Sequence, residues 1–249
     1  SFDPKSIWVS DPIVEKRCHL MSTYGIQSVE SNSEAIENAG LVFLAVKPQH
    51  FASVATALTG LLKIDQTIVS IMAGVTIQNL RSNLNHAKIV RIMPNTPAQI
   101  GQGASVWTST KEVDSSALGE ISVMLDAIGY QVHVDSEDLI DAATAISGSG
   151  PAYVFRMIEA LTEAAVALGI PTETAKHLVE QTFFGSSLLV KESTVSTSTL
   201  RQMVTSKGGT TERALEVLEE NGFESIIKNA AKAAYKRAKE LGGNDALNS

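Results

Sequence analysis

The sequence TIVSIMAGVTIQNLRSNLNHAKIVRI, residues 67–92, contains one complete strand–helix–strand unit. Its two ends, Thr67 to Ile71 and Lys88 to Ile92, are short, apolar and rich in β-branched residues, as buried strands are. Between them, Ile77 to Leu84 places apolar side chains at helical spacing. Two such strands separated by one helix predict a parallel pair joined by a crossover helix.

The same alternation extends outward from this unit in both directions. Further candidate strands are Ile7 to Ser10, Leu41 to Val46, Ala104 to Trp107 and Gln131 to Val134. Helical patterns lie between them at Ile13 to Tyr24, Ser33 to Ala39, His50 to Leu62 and Ser115 to Ile128. Repeated βαβ units predict a parallel sheet with helices on both of its faces.

The second half of the sequence contains no convincing strand. Asp138 to Ser147 predicts a short helix, which Gly148, Gly150 and Pro151 interrupt. Pro151 to Leu168 is apolar on nearly all sides, and such a helix must be buried on most of its surface. We therefore predict an all-helical domain that forms a homodimer. The predicted domains are residues 1–135 and 136–249.

Composition excludes several classes of partner. The formal net charge of −7 argues against nucleic acid. No apolar run reaches about 20 residues, so no membrane span is predicted. The single cysteine, Cys18, has no partner for an internal disulfide, and we predict a cytoplasmic protein. The five histidines lack metal-ligand spacing, and no metal is predicted.

A turn between two predicted helices carries the strongest signal of binding. Residues 205–211 read TSKGGTT, and the paired glycines Gly208 and Gly209 let backbone N–H groups approach a ligand. The helix that follows points its positive end at the same place, which suits a carboxylate or a phosphate. An ordinary glycine turn with a threonine cap is the alternative that spacing alone leaves open.

This turn and three other segments closely resemble the pyrroline-5-carboxylate reductase family. The other segments are LAVKPQ at residues 44–49, RIMPNTPA at 91–98 and ISGSGPAYVF at 146–155. All four follow the family order, and the resemblance extends over nearly the whole chain. It implies a Rossmann-like dinucleotide-binding domain followed by an all-α dimerisation domain, assembled as a homodimer or as a ring of dimers.

The family reaction transfers a hydride from a nicotinamide cofactor to the C=N carbon of Δ1-pyrroline-5-carboxylate, giving L-proline. The resemblance implies that the substrate carboxylate binds at the glycine turn, through the amides of Gly209, Thr210 and Thr211. It makes the Thr211 hydroxyl the candidate hydrogen-bond partner of the ring nitrogen. The predicted substrate-binding residues are Ser206, Gly208, Gly209, Thr210 and Thr211.

Glu137 aligns with a family acid near the substrate, and the resemblance implies that it stabilises the iminium form. The residues alone allow a second interpretation, in which Glu137 or Asp138 is an acid at a helix start. Both interpretations stay open at this point.

The predicted cofactor contacts follow the ends of successive strands, where dinucleotides bind in such sheets. They are Ser10, Asn32, Ala45, Val46, Lys47, Pro48, Ala73 and Gly74. Many relatives carry Asn-Arg after the position of Ser10, whereas this chain has Asp11-Pro12, and an acid there disfavours a 2′-phosphate. Lys16 and Arg17 follow one turn later. We predict NADPH and keep NADH open.

Relatives begin with a glycine-rich phosphate loop, and no G-x-G-x-x-G occurs before Ile7. We expect that a first βα unit of roughly 25 to 30 residues is missing from this sequence. Two alternatives remain: a non-catalytic, dimeric carboxylate-binding protein if the phosphate loop is truly absent, or a related reductase of imines or hydroxy acids. The second alternative usually places a Lys or His on the long helix, and Pro151 to Leu168 has neither.

Overall fold

The structure, a computed structural model, describes residues 3–242. These residues form two compact units: one consists of residues 3–148 and 234–242, and the other of residues 149–233. The domain boundary placed after residue 135 stays a prediction.

The first unit is built around parallel strands. The strands are β1 (Trp8–Ser10), β2 (Gln27–Val29), β3 (Leu41–Leu44), β4 (Thr67–Ser70), β5 (Ile89–Met93), β6 (Gly103–Ser109) and β7 (Gly129–His133). Strands β1 and β2 pair with each other, while β3 to β7 form a second sheet in sequence order. In the predicted βαβ unit, β4 and β5 are parallel, with Val69 opposite Val90.

One pairing departs from the predicted parallel sheet. Strand β6 runs antiparallel to β5, with Ile92 opposite Trp107. The connection between them holds only a short 3₁₀ turn, Thr96–Ile100, and a parallel crossover needs a longer connection. Strand β2 was not predicted, because only one of its three residues, Val29, is apolar.

Helices cover both faces of the five-stranded sheet. In the first unit they are α1 (Val14–Tyr24), α2 (Asn32–Ile36), α3 (Phe51–Leu58), α4 (Ile77–Leu84), α5 (Ser115–Ile128) and α6 (Asp138–Ala143). One core cluster joins Phe51 of α3 and Leu80 of α4 to Ile68 of the sheet. The other joins Ile121 of α5 to Val69 and Val90. Successive residues of β4 therefore belong to opposite cores, as a strand buried on both faces requires.

The described residues of the second unit form helices joined by short turns and include no strand. Its helices are α7 (Gly150–Ala167), α8 (Thr172–Glu192), α9 (Thr197–Met203), α10 (Thr210–Glu220) and the first part of α11 (Phe223–Gly242). Helix α7 is the long apolar helix of the sequence analysis, yet no residue in it is buried within the single chain. Phe155, for example, remains 55% exposed. An apolar helix with this much exposed surface is typical of an interface.

Candidate functional site

The predicted substrate turn lies between α9 and α10 in the second unit. Gly209 is the N-cap of α10, with extended backbone angles, and Thr210 is the first helical residue. Gly208 has a φ of 71°, in the left-handed region where residues with a Cβ are strained. The turn therefore needs glycine at position 208 for its backbone angles.

Two of the turn's backbone N–H groups already donate hydrogen bonds within the protein. The N–H of Gly209 donates to the carbonyl of Ser206 at 3.0 Å. The N–H of Gly208 donates to the Glu212 carboxylate at 2.6 Å, in the manner of a capping box. The N–H groups of Thr210 and Thr211 begin α10, where the helix itself supplies no acceptor. These two amides are the ones that can bind an anion at the helix N-terminus.

The side chains of the turn differ in exposure. Thr211 is half-buried, whereas Ser206, Lys207 and Thr210 are exposed to solvent. Within the described part of the chain, the Thr211 hydroxyl makes no hydrogen bond. A hydroxyl that is held by its helix and has no structural partner can serve a ligand.

The first two predicted cofactor contacts, Ser10 and Asn32, are hydrogen-bonded to each other. Ser10 ends β1, and its hydroxyl donates to the Asn32 amide oxygen, at the start of α2, over 2.6 Å. Ala45, Val46, Lys47 and Pro48 follow the end of β3. Pro48 opens a 3₁₀ turn after extended backbone at Lys47. These residues lie at the carboxyl ends of parallel strands, where open α/β sheets bind ligands.

Ala73 and Gly74 follow β4, and the end of α11 packs against Gly74. Gly74 has a φ of 74°. A Cβ built on it would lie 2.5 Å from the Cβ of Leu241. The Gly74 carbonyl oxygen also lies 3.2 Å from the Cβ position of Gly242. Gly74 is required here by both its backbone angle and its close contact.

The charged side chains that follow Ser10 in the sequence form hydrogen bonds and ion pairs with nearby residues. The Asp11 carboxylate accepts the N–H of Ile13 at 2.8 Å. The Arg17 guanidinium, 14% exposed, donates to the Asp11 carbonyl and lies 3.9 Å from the Glu30 carboxylate. Lys16 lies 3.8 Å from the Asp11 carboxylate and is 61% exposed. The positive charge of Arg17, which follows the predicted ribose position, is therefore partly neutralised by the Glu30 carboxylate.

A buried arginine that the sequence analysis did not single out organises the junction before α6. Arg91, on β5, is 1% exposed. Its Nη1 donates to Glu137 at 2.6 Å and its Nη2 donates to Asp141 at 2.7 Å. The signal was present in the sequence, because an arginine within an apolar strand must find a buried anion.

Glu137 serves two donors with one oxygen. Its Oε1 accepts the Arg91 guanidinium and also the N–H of Ile77, at 2.8 Å, which begins α4. Glu137 is thus the N-cap residue of α6 by position, while its carboxylate accepts a hydrogen bond from the first N–H of α4. Asp138 follows it and pairs with Lys239 of α11. Hydrogen bonds with Tyr235 and Asp138 raise the pKa of Lys239 above its ordinary value.

A cavity of about 280 Å³ opens beside this cluster. Its lining residues are Thr76, Arg91, Ser136, Glu137, Asp138 and Asp141. Among residues 3–242, no cluster of three or more His, Cys, Asp or Glu side chains could hold a metal ion. None of the described helices combines the length and the apolar character that crossing a bilayer requires.

The fold and the site together define the class of two-domain, dinucleotide-dependent oxidoreductases. Residues 2–74 match the family model described as NADP oxidoreductase, coenzyme F420-dependent. Residues 137–241 match the model described as pyrroline-5-carboxylate reductase dimerisation. The chain belongs to the pyrroline-5-carboxylate reductase family.

Individual relatives support this membership over nearly the full length. The pyrroline-5-carboxylate reductase of Pseudomonas aeruginosa is 42% identical, and the match covers 94% of this chain and 86% of that protein. The solved structure of the reductase from Coxiella burnetii is 38% identical, with a TM-score of 0.89, covering 97% of this chain and 90% of that one. The Plasmodium falciparum reductase, solved with NADP bound, has a TM-score of 0.87 at 32% identity, covering 97% and 89%.

These similarities confirm the predicted family, the predicted fold class and an oxidoreductase activity in proline biosynthesis. They support NADP binding by the N-terminal region, residues 2–74, and a dimerisation domain at residues 137–241, which includes the whole second unit. The roles assigned to individual site residues stay predictions.

Proposed function

We propose that this chain reduces L-Δ1-pyrroline-5-carboxylate to L-proline with NADPH. Membership of the family gives the reaction. The observation that carries the proposal is the turn before α10, where the amides of Thr210 and Thr211 have no acceptor within the helix. A small acid ring needs one site for its carboxylate and one partner for its nitrogen, and this turn offers both.

The carboxylate would bind at the N-terminus of α10. The helix contributes partial positive charge from its aligned peptide units, which favours an anion at this end. Gly208 and Glu212 support the site by fixing the turn through their 2.6 Å hydrogen bond. Ser206 would contact the ligand from the same turn, together with Gly209.

The Thr211 hydroxyl would hold the ring nitrogen. Thr211 lies in the first turn of α10, so its hydroxyl sits near the amides that bind the carboxylate. A hydrogen bond to the protonated ring nitrogen would orient the C=N bond, and orientation supplies much of the rate in a reaction of this kind. The second predicted catalytic residue, Glu137, has contacts that support a different role.

The cofactor would lie along the carboxyl ends of β1, β3 and β4. Ser10 and Asn32 form a polar pair that suits a ribose, and Gly74 follows the carboxyl end of β4. Ala45, Val46, Lys47, Pro48 and Ala73 complete the proposed contacts. When bound, the nicotinamide supplies the hydride for the ring carbon, and the chain's residues hold the two molecules in place.

NADPH is proposed over NADH because the family resemblance favours it and because Arg17 and Lys16 lie one turn beyond the ribose position. Asp11 and Glu30 oppose this preference, since both carry negative charge at the same end of the site. These opposing charges predict a modest preference for NADPH over NADH rather than exclusive use of NADPH.

We also propose a homodimer, formed through the second unit, with a ring of dimers as the higher assembly. The exposed apolar side chains of α7 and α8 support this proposal. They include Val154, Phe155, Leu161, Phe184 and Leu188. A cytoplasmic location stays a prediction from composition.

The test uses full-length protein, NADPH and chemically prepared pyrroline-5-carboxylate. We expect the NADPH absorbance to fall only when the imine is present, with proline appearing in equal amount. Calorimetry with proline supplies the second readout. Proline binding without NADPH oxidation would instead support the non-catalytic carboxylate-binding protein, and oxidation with other imines but not this one would support the related reductase.

A further inference from the structure

The junction around Arg91 connects the proposed cofactor loop to the start of α6. Arg91 is buried beneath this junction and binds Glu137 and Asp141 with its two terminal nitrogens. Glu137 in turn accepts the first N–H of α4, at Ile77. Arg91 and Asp141 lie among the least exposed charged residues of the described chain, at 1% and 8%.

The contact at Ile77 fixes the end of the loop that follows β4. Thr76 caps α4 by accepting the N–H of Asn79 at 3.1 Å. Met72 and Val75, on either side of Ala73–Gly74, are each 3% exposed. The loop is therefore anchored by buried side chains along its length and by Glu137 at its end. Only Val75 and Thr76 separate Ile77 from Gly74, so a displacement of Ile77 also displaces Gly74.

We propose that Glu137, held by Arg91, is a positioning residue for the cofactor loop at Ala73–Gly74. The inference rests on the proposed function, because it takes this loop as a cofactor contact. Glu137 acts through the N–H of Ile77 and touches neither substrate nor cofactor. Its carboxylate matters as a correctly placed hydrogen-bond acceptor, and its charge serves to bind Arg91.

The electrostatics of the junction favour this role. A buried guanidinium needs paired anions, and Glu137 and Asp141 bind its two terminal nitrogens, while its Nε has no hydrogen-bond partner among the described residues. Arg91 brings one positive charge to two carboxylates, so the charge of Glu137 is only partly compensated, while its Oε1 already accepts hydrogen bonds from both Arg91 and Ile77. An oxygen that already accepts two hydrogen bonds is a fixed acceptor for a helix start, and this role needs no contact with the iminium.

The experiment measures the NADPH dissociation constant by cofactor fluorescence in full-length protein, beside steady-state kinetics. We expect Glu137→Ala to weaken NADPH binding about five- to tenfold, the upper part of the range for one intramolecular hydrogen bond, because the lost contact reaches the cofactor loop indirectly. The KM for pyrroline-5-carboxylate and kcat at saturating NADPH should stay near wild-type values. Glu137→Gln, which keeps an acceptor oxygen, should restore most of the NADPH affinity.

Asp141→Asn is the matched control. Asp141 binds the other terminal nitrogen of Arg91 and, among the described residues, makes no hydrogen bond to α4. This variant perturbs the same buried arginine, so it should lower thermal stability while leaving the NADPH dissociation constant near that of wild type. A purely structural role for the cluster would make Asp141→Asn and Glu137→Ala behave alike.

A second variant tests the same contact if Glu137→Ala does not fold. Ile77→Pro removes the N–H that Glu137 accepts, and proline suits the first position of a helix. Thr76 already has a ψ of 158°, which a following proline favours. Ile77→Ala controls for the lost side chain. We expect NADPH to bind several-fold more weakly to Ile77→Pro than to Ile77→Ala.

Two results would overturn the proposal. The first is a loss of kcat in both Glu137→Ala and Glu137→Gln with unchanged NADPH affinity, which would make the charge itself catalytic. The second is unchanged NADPH affinity in Ile77→Pro relative to Ile77→Ala. Failure of the wild-type protein to oxidise NADPH with pyrroline-5-carboxylate would reject the proposed function instead, and the dissociation constants would still report on the loop.

Discussion

Ser206 lies directly against the α-carbon of Gly209. A Cβ built on Gly209 would be 2.4 Å from the Ser206 hydroxyl oxygen and 2.9 Å from the Ser206 carbonyl oxygen. The hydroxyl can rotate away, but the carbonyl belongs to the backbone and also accepts the Gly209 N–H. The turn before α10 can therefore keep this shape only with glycine at position 209.

Gly209→Ala should raise the KM for pyrroline-5-carboxylate about tenfold or more, because the alanine must displace the Ser206 backbone and with it the turn. Steady-state kinetics with varied substrate check the result. Gly119→Ala is the control: it adds a Cβ in open space within α5 and should stabilise the fold by about 0.5–1 kcal/mol. An unchanged KM in Gly209→Ala would mean that the substrate does not use this turn.

Gly208→Ala tests backbone strain without a steric clash. No atom lies within 4 Å of the Cβ position at Gly208, so the cost arises from its φ of 71°. We expect a loss of about 1–2 kcal/mol in unfolding free energy, together with a higher KM for the substrate. Gly25→Ala, at a φ of 69° and also with open space around it, should lose similar stability while keeping the wild-type KM.

Thr211→Ala should lower kcat about 10- to 100-fold, the range expected for a hydrogen bond to a charged ring nitrogen. Thermal stability should change little, because the half-buried hydroxyl has no partner among the described residues. Thr211→Ser keeps the hydroxyl and should retain most of the activity. Equal turnover in the alanine and wild-type proteins would remove Thr211 from the mechanism.

The sequence predicted the fold well where periodic patterns were long. The helix at Ile77–Leu84 has the predicted bounds because Thr76 caps its start and Asn85 ends it in the left-handed conformation. The antiparallel direction of β6 was not predictable from apolar character, since a strand buried on both faces looks the same in either direction. The length of the connection from Met93 to Gly103 was the available signal.

The candidate site was predictable in its motifs and not in its partners. The glycine turn at residues 205–211 was found because glycine and threonine are local signals. The pairing of Arg91 with Glu137 joins residues far apart in sequence, so no local pattern contains it. The same holds for Gly74 and Leu241, which meet only through the path of α11.

Asp11→Asn should shift the cofactor preference toward NADPH. The amide oxygen can still accept the Ile13 N–H, while the negative charge near the proposed 2′-phosphate position is lost. We expect the KM ratio of NADH to NADPH to rise several-fold at low ionic strength and less at high salt. Glu15→Gln removes a neighbouring acid in the first turn of α1 and should leave the ratio unchanged. A ratio unaffected by Asp11→Asn would place the 2′-phosphate elsewhere.

Phe155→Glu should break the proposed dimer. Phe155 is 55% exposed on α7 in the single chain, and a charge there would be buried without a partner if α7 forms the interface. We expect light scattering to report a lower molar mass and thermal unfolding to occur at a lower temperature. Ile64→Glu is the matched control, because Ile64 is 89% exposed in the first unit and its replacement costs no burial. A dimer that survives Phe155→Glu unchanged would show that this face of α7 lies outside the interface. The exposed apolar side chains of α8, such as Phe184 and Leu188, would then be the next surface to test.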